Sequence, residues 1–189
     1  MKATWQNRWI KEDLIKALQE GKIVVMPTDT IYGIVAHALN VSSVEKIYTI
    51  RKRAPEKPCI ILLGDINELE KFSITLSEKQ KKIIREFSIP TSFILDCPND
   101  KFSYLHRGTN TLAFRVPVPK ELRKLLFETG PLIAPSANPE GLPHSKNIQE
   151  AKKYFGASVD LYVDGGEITG QASRVLKLNQ DGSTHILRN

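Results

Sequence analysis

Short apolar runs that meet a proline and give way at once to small polar residues constrain this chain more than any other feature. Ile23-Val24-Val25 passes through Met26 into Pro27-Thr28-Asp29-Thr30-Ile31-Tyr32-Gly33, and Pro131-Leu132-Ile133-Ala134 into Pro135-Ser136-Ala137-Asn138-Pro139. Runs of this length read as buried strands, and a proline, with no N–H to give to a ladder, marks where the chain leaves the sheet. Hydroxyls, a carboxylate, a phenol and amides are therefore concentrated just past strand ends, where sites are usually built. The plain alternative at residues 28–30 is an Asx or ST turn that only shapes a connection.

Helical patterns separate these runs. Ile10, Leu14, Ala17 and Leu18 form one apolar stripe ahead of Gly21, a helix with a glycine at its C′ position. Ser42-Ser43-Val44-Glu45 reads as a capping box for a helix through Ile47, Tyr48 and Ile50 that delivers Arg51-Lys52-Arg53 at its C-terminal end. Cations there also have an ordinary role against the helix dipole. Cys59–Leu63 is the next strand, Gly64-Asp65 turns it, and helices follow near Ile66 and after the capping pattern Ser77-Glu78-Lys79-Gln80.

The second half repeats the rhythm. Pro90-Thr91-Ser92 turns into the strand Phe93-Ile94-Leu95, and residues 96–110 read as an irregular loop of a length common in lids, binding loops or mobile segments. Thr111–Val116 alternates, setting Arg115 opposite Leu112, Phe114 and Val116, either on a solvated face or in a cleft. A short helix carries Leu122, Leu125 and Leu126, and another is capped by Asn147-Ile148-Gln149-Glu150. Leu161-Tyr162-Val163 leads to Asp164-Gly165-Gly166, more a turn than a phosphate loop, and a hairpin around Asp181-Gly182 closes the chain.

Alternating strands and helices predict a single α/β domain over residues 1–189, with a twisted sheet of mixed parallel and antiparallel strands flanked by helices, since some connections are too short for crossovers. At 41% hydrophobic and 25% charged residues the chain can bury one sizeable core. No run reaches the ~20 apolar residues of a membrane span, and Met1–Trp9 lacks the apolar core of a secretory signal, so a cytoplasmic protein is expected. Cys59 and Cys97 lack metal-ligand spacing and read as reduced structural residues; the four histidines are equally scattered, so no dedicated metal site is expected. A net charge of +6 and a pI near 9.3 favour polyanionic partners such as nucleotides or RNA. No Ser-His-Asp order, GxSxG elbow, Walker loop or HExxH is present, which leaves chemistry driven by alignment and charge neutralisation, as in attack of an acid oxygen on the α-phosphate of ATP.

Pro27-Thr28-Asp29-Thr30-Ile31-Tyr32-Gly33, the triplet Arg51-Lys52-Arg53, Ser136-Ala137-Asn138, Ser173-Arg174-Val175 and Ile186-Leu187-Arg188, in this order, resemble the YrdC/TsaC family over nearly the whole chain. The resemblance implies a YrdC-like fold with a basic concave face. It also implies an L-threonylcarbamoyladenylate synthase, a nucleotidyltransferase that makes threonylcarbamoyl-AMP and pyrophosphate from L-threonine, bicarbonate and ATP for tRNA modification. Mg2+ would ride on the phosphates, and tRNA or tRNA-modifying proteins are possible partners.

By the same resemblance Thr28, Thr30, Tyr32 and Arg53 bind threonine. Arg51 and Arg53 are the catalytic cations. Arg51, Lys57, Ser92 and Arg115, with Ser136, Asn138, Ser173 and Arg188, surround the nucleotide. The chain departs from the family pattern where Arg51-Lys52-Arg53-Ala54 replaces Lys-Gly-Arg-Pro, Arg174 replaces a threonine, Glu140 replaces a serine and Asn189 replaces a glycine. It resembles the short, single-domain members. The alternative is a YrdC-like RNA-binding protein without synthase activity.

Overall fold

The computed structural model describes residues 8–189, with side chains from residue 11 onward. The reading of residues 1–7 and the Ile10 position of the first helical stripe lie outside the described residues. The predicted rhythm is present: α1 (Arg8–Gln19), β1 (Val24–Pro27), β2 (Tyr32–His37), α2 (Val41–Arg51), β3 (Ile60–Leu62), α3 (Glu78–Glu86), β4 (Thr91–Asp96), α4 (Ser103–His106), β5 (Thr111–Arg115), α5 (Lys120–Thr129), β6 (Leu132–Ile133), α6 (Ile148–Phe155), β7 (Leu161–Tyr162), β8 (Arg174–Leu178) and β9 (Thr184–Arg188). The strands form one nine-stranded sheet in the order β7-β1-β2-β6-β3-β5-β4-β8-β9. Parallel pairs (β1–β7, β3–β5, β4–β8) are mixed with antiparallel ones, as the short connections require.

Several local expectations change. The chain leaves the sheet at the proline as expected, with the one difference that Pro27 is itself the last residue of β1, opposite Tyr32 in an antiparallel pair. Residues 28–31 are thus the tip of a hairpin, and Tyr32 and Gly33 belong to β2. Asn40, not Ser42, caps α2: its side chain accepts from the Ser43 N–H and Val41 is already helical, asparagine being at least as good a cap as serine. The helix near Ile66 is a seven-residue 3-10 segment, Ile66–Phe72, boxed by Asp65 and Glu68. Residues 96–110 are not a free loop. They hold α4 and a 3-10 turn whose Phe102 and Leu105 are buried in the core, with Phe102 against Phe72 at 5.4 Å between ring centroids.

Strand alternation divides the core between the two sheet faces. Ile23 and Val25 pack on one face with Val44 and Ile47 of α2, Phe72, Phe114 and Phe155. Val24 and Met26 pack on the other with Leu14 and Leu18 of α1 and Leu122, Leu125 and Leu126 of α5. The first layer runs the width of the sheet. The second, built among the described residues on α1 and α5, covers β7, β1, β2, β6 and β3. The same face of β5, β4, β8 and β9 is left for a cleft. Cys59 and Cys97 are buried and unpaired, and no helix among the described residues is long and apolar enough to cross a membrane.

Candidate active site

A cleft of about 630 Å³ occupies this uncovered half-face. Strand register sets its floor: Ala113 and Arg115 of β5 lie on the face of Ile60 and Leu62, Ile94 of β4 opposite Ala113, and Val175 and Arg188 opposite each other on β8 and β9. Its walls are the hairpin tip at 28–31 and the segment from Pro135 to His144. Among the described residues its lining holds three arginines, Arg53, Arg115 and Arg188, and no carboxylate.

The tip is both turn and wall. Thr28 Oγ1 donates to the Ile31 carbonyl at 2.7 Å and accepts from the Thr30 N–H at 3.2 Å, the ST turn that sequence allowed, and it lies 3.2 Å from Thr30 Oγ1. Asp29 makes no Asx turn. Its Oδ1 accepts from Arg115 Nη2 at 2.8 Å, an ion pair whose side chains are 1% and 4% exposed. Arg115 is therefore a buried cleft residue rather than a solvated one, and the same Nη2 reaches Thr30 Oγ1 at 3.4 Å.

Tyr32 borders the cleft but is fully buried, its side chain packed with Ile23, Val25 and Ile34 and its hydroxyl occupied, donating to the Gly166 carbonyl at 2.8 Å and accepting from the Gly165 N–H at 2.7 Å. Burial raises its pKa. The Asp164-Gly165-Gly166 turn serves this phenol, and Gly165 has to be glycine because a Cβ there would sit 2.6 Å from Pro27 Cγ. Further on, Gly170 passes against the Thr30 carbonyl, again with no room for a side chain.

The basic triplet divides. α2 ends at Arg51, with Lys52 in the left-handed conformation, so that successive side chains take different directions. Arg51 is 2% exposed and stays behind the wall, its Nε donating to the Asn138 carbonyl at 2.9 Å and its Nη2 to Ser136 Oγ at 3.3 Å. Burial, then Arg53, depresses its pKa to about 10. Arg53 reaches the cleft, with Nε and Nη2 on the carbonyls of Lys57 and Pro58. Lys57 points outward to Glu140 at 2.6 Å; the Glu140 carboxylate also accepts from the Ala54 N–H, and these partners, Lys57 first, hold its pKa down. Asn138 Nδ2 donates to the carbonyls of Leu142 and Pro139 at 2.7 and 2.9 Å, which leaves Oδ1 buried without a partner.

At the far end Ser173 Oγ lies 2.8 Å from Ser92 Oγ. Arg188 donates through Nε to the Ser173 carbonyl at 3.0 Å, and its pKa is lowered by burial and then by Arg115. Of the residues singled out in sequence, Thr28, Thr30, Tyr32, Arg53 and Arg115 line one cleft with Ser136, Asn138, Ser173 and Arg188. Arg51, Lys57 and Ser92 do not: the first braces the wall, the second is a surface clasp, and the third is fully buried behind Ser173. Thr109, Thr111 and His144 also line the cleft; no periodicity or motif marked them. Asp29 stood in the motif, but its partner lies 86 residues away and no local signal joins the two. No cluster of three potential metal ligands occurs among the described residues.

The class that fold and site define is an α/β domain with a mixed sheet whose open half-face gathers guanidiniums, hydroxyls and an unpaired amide oxygen in one cleft. The Sua5/YciO/YrdC family model, described as "Telomere recombination", matches residues 16–189, and the chain belongs to that family. It is 33% identical over 168 residues to a threonylcarbamoyl-AMP synthase of Bacillus subtilis, covering 87% of this chain and 49% of that one. It is 32% identical over 178 residues to a putative threonylcarbamoyl-AMP synthase of Methanocaldococcus jannaschii, covering 93% and 84%. The Sua5 structure of P. abyssi complexed with L-threonine superposes with a TM-score of 0.85 at 28% identity over 95% of this chain and 54% of that one. The chain spans about half the length of the B. subtilis and P. abyssi proteins.

Proposed function

We propose that the protein is an L-threonylcarbamoyladenylate synthase. The observation that carries the reading is the meeting of the Thr28 and Thr30 hydroxyls with three arginines in one cleft free of carboxylates. The synthase names of its relatives and the L-threonine bound to the P. abyssi protein support it. In this reading the threonine amine and bicarbonate form a carbamate, releasing water. A carbamate oxygen then attacks the α-phosphorus of ATP, the bond to the β-phosphate oxygen breaks, and pyrophosphate leaves with its electron pair. The protein aligns the two substrates and offsets the charge that develops on phosphate.

The roles follow from position. Thr28 and Thr30 face the amino acid, and Tyr32, buried beside them, anchors the strand that follows the tip to Gly165 and Gly166. Arg53, held only by the backbone carbonyls of Lys57 and Pro58, takes the carbamate and phosphate oxygens, and a planar fork suits both. Arg115, Arg188, Ser136, Asn138 and Ser173 surround the nucleotide, with Asn138 Oδ1 able to accept from a ligand N–H or O–H. Arg51, Lys57 and Ser92 support these residues from behind. Magnesium enters on the triphosphate as part of the substrate, and the product goes on to tRNA modification in the cytoplasm. The RNA-binding alternative is not favoured, since the relatives carry enzyme names.

Incubation with ATP, Mg2+ and bicarbonate should release pyrophosphate only when L-threonine is added, and Arg53→Ala should reduce that release about a hundredfold or more. Threonine-independent release, or full activity in the variant, contradicts the reading.

A further inference from the structure

The Asp29–Arg115 pair joins parts of the sheet that lie far apart in strand order. Asp29 sits on the β1–β2 tip and Arg115 on β5, with β6 and β3 between β2 and β5. Three strand spacings amount to about 14 Å in a flat sheet, so the pair closes because the hairpin tip, outside the β1–β2 ladder, reaches over the face toward β5. The contact is single rather than forked: Asp29 Oδ2 and Arg115 Nε are both buried without partners. A pair serving stability alone would gain from the bidentate arrangement. Here Arg115 Nη2 is instead shared between Asp29 Oδ1 and Thr30 Oγ1, and Thr30 Oγ1 in turn meets Thr28 Oγ1. The carboxylate, the guanidinium and both threonine hydroxyls form one chain.

We propose that Asp29 is a positioning residue for the amino-acid substrate: through Arg115 it fixes the Thr28–Thr30 tip over the face, and it also tempers the positive charge that Arg115 offers to the nucleotide. The inference rests on the synthase reading above. Its two effects have opposite signs for the two ligands. Replacing the carboxylate by an amide releases the tip, which harms threonine binding, and leaves Arg115 more strongly positive beside Arg188, which favours a phosphate. A merely structural role has no such asymmetry, because loosening the cleft weakens both.

The test is calorimetric titration of L-threonine and of AMP, each alone, into the unaltered protein and into Asp29→Asn. Threonine affinity should fall about tenfold or more, displacements near 1 Å costing up to about a hundredfold, while AMP affinity stays or rises. Asp29→Glu keeps the charge but lengthens the tether by one methylene; it should show the same selective loss of threonine with AMP unchanged, and it serves where the amide variant does not fold. Parallel loss of both ligands, or threonine affinity kept in whichever variant folds, overturns the inference alone. An unaltered protein that binds neither ligand overturns the synthase reading and the inference with it.

Discussion

Arg51 offers a test in which two large effects nearly cancel in stability and do not cancel in activity. The perturbation is Arg51→Met, which keeps the length of the stem and removes the guanidinium. The fall of its pKa to about 10 through burial corresponds to roughly 3 kcal/mol by which the folded state disfavours the charge, and the substitution removes that penalty. Against this, the Asn138 carbonyl and Ser136 Oγ lose their donor. A buried acceptor left unpaired costs about 1–3 kcal/mol, and only the carbonyl is so confined, since the serine hydroxyl can turn into the cleft. The balance is a change in unfolding free energy within about 2 kcal/mol of zero, measured by urea denaturation at neutral pH. Activity should fare worse. The freed wall carries Ser136 and Asn138, both cleft residues, and pyrophosphate release should drop by about tenfold or more. A loss of stability above about 4 kcal/mol would show that the burial penalty had been misjudged, and full activity would refute the bracing role.

The remaining predictions are narrower. Ser173→Ala leaves Ser92, which is fully buried, without its 2.8 Å partner and should cost about 1–3 kcal/mol, whereas Ser92→Ala with Ser173→Ala should recover part of the loss because no buried hydroxyl remains; denaturation of the two variants side by side decides it. His37 has its pKa lowered by burial, then by Lys71, so between the two pKa values the unfolded chain binds more protons. Its contribution is complete above the unfolded value near 6.5 and is lost as pH falls from there through the folded value. Denaturation midpoints should therefore drop on acidification below about pH 6.5, and His37→Gln should remove part of that slope; an unchanged slope would be contrary to the assignment.

What sequence made legible is what local chemistry controls. Ser77 with Gln80 and Asn147 with Glu150 cap α3 and α6 as their spacing predicts, and the alternation of residues 111–116 assigns Arg115 to the face opposite Phe114. The convergence of Tyr32, Arg53, Asn138 and Arg188 on one cleft was legible as well, through family motifs rather than periodicity. The errors lie where tertiary context decides. Residues 96–110 look polar and irregular, yet Phe102 and Leu105 are enough to dock two helical turns into the core. Arg51 and Arg53 look equivalent in the triplet, and only the left-handed Lys52 between them sends one behind the wall and the other into the cleft. Asp29 and Arg115 carry no mutual signal at all, because a pair between a hairpin tip and a strand three places away in the sheet depends on every strand between its members.

The cleft's electrostatics follow from which elements supply its arginines, Arg53 from just past α2, Arg115 from β5 and Arg188 from β9. The pKa of Arg188 is lowered first by partial burial and then by the charge of Arg115, so the two guanidiniums oppose each other across the cleft. A cleft that holds its cations under such strain in the free protein is complementary to an anion: phosphate oxygens between the two guanidiniums would offset both the repulsion and the lost hydration. Asp29 offsets the charge of Arg115, and among the described residues neither Arg53 nor Arg188 has a carboxylate ion-pair partner. The unneutralised charge of the cleft is thus carried by Arg53 and Arg188, and in the synthase reading it would face the charge that develops on phosphate.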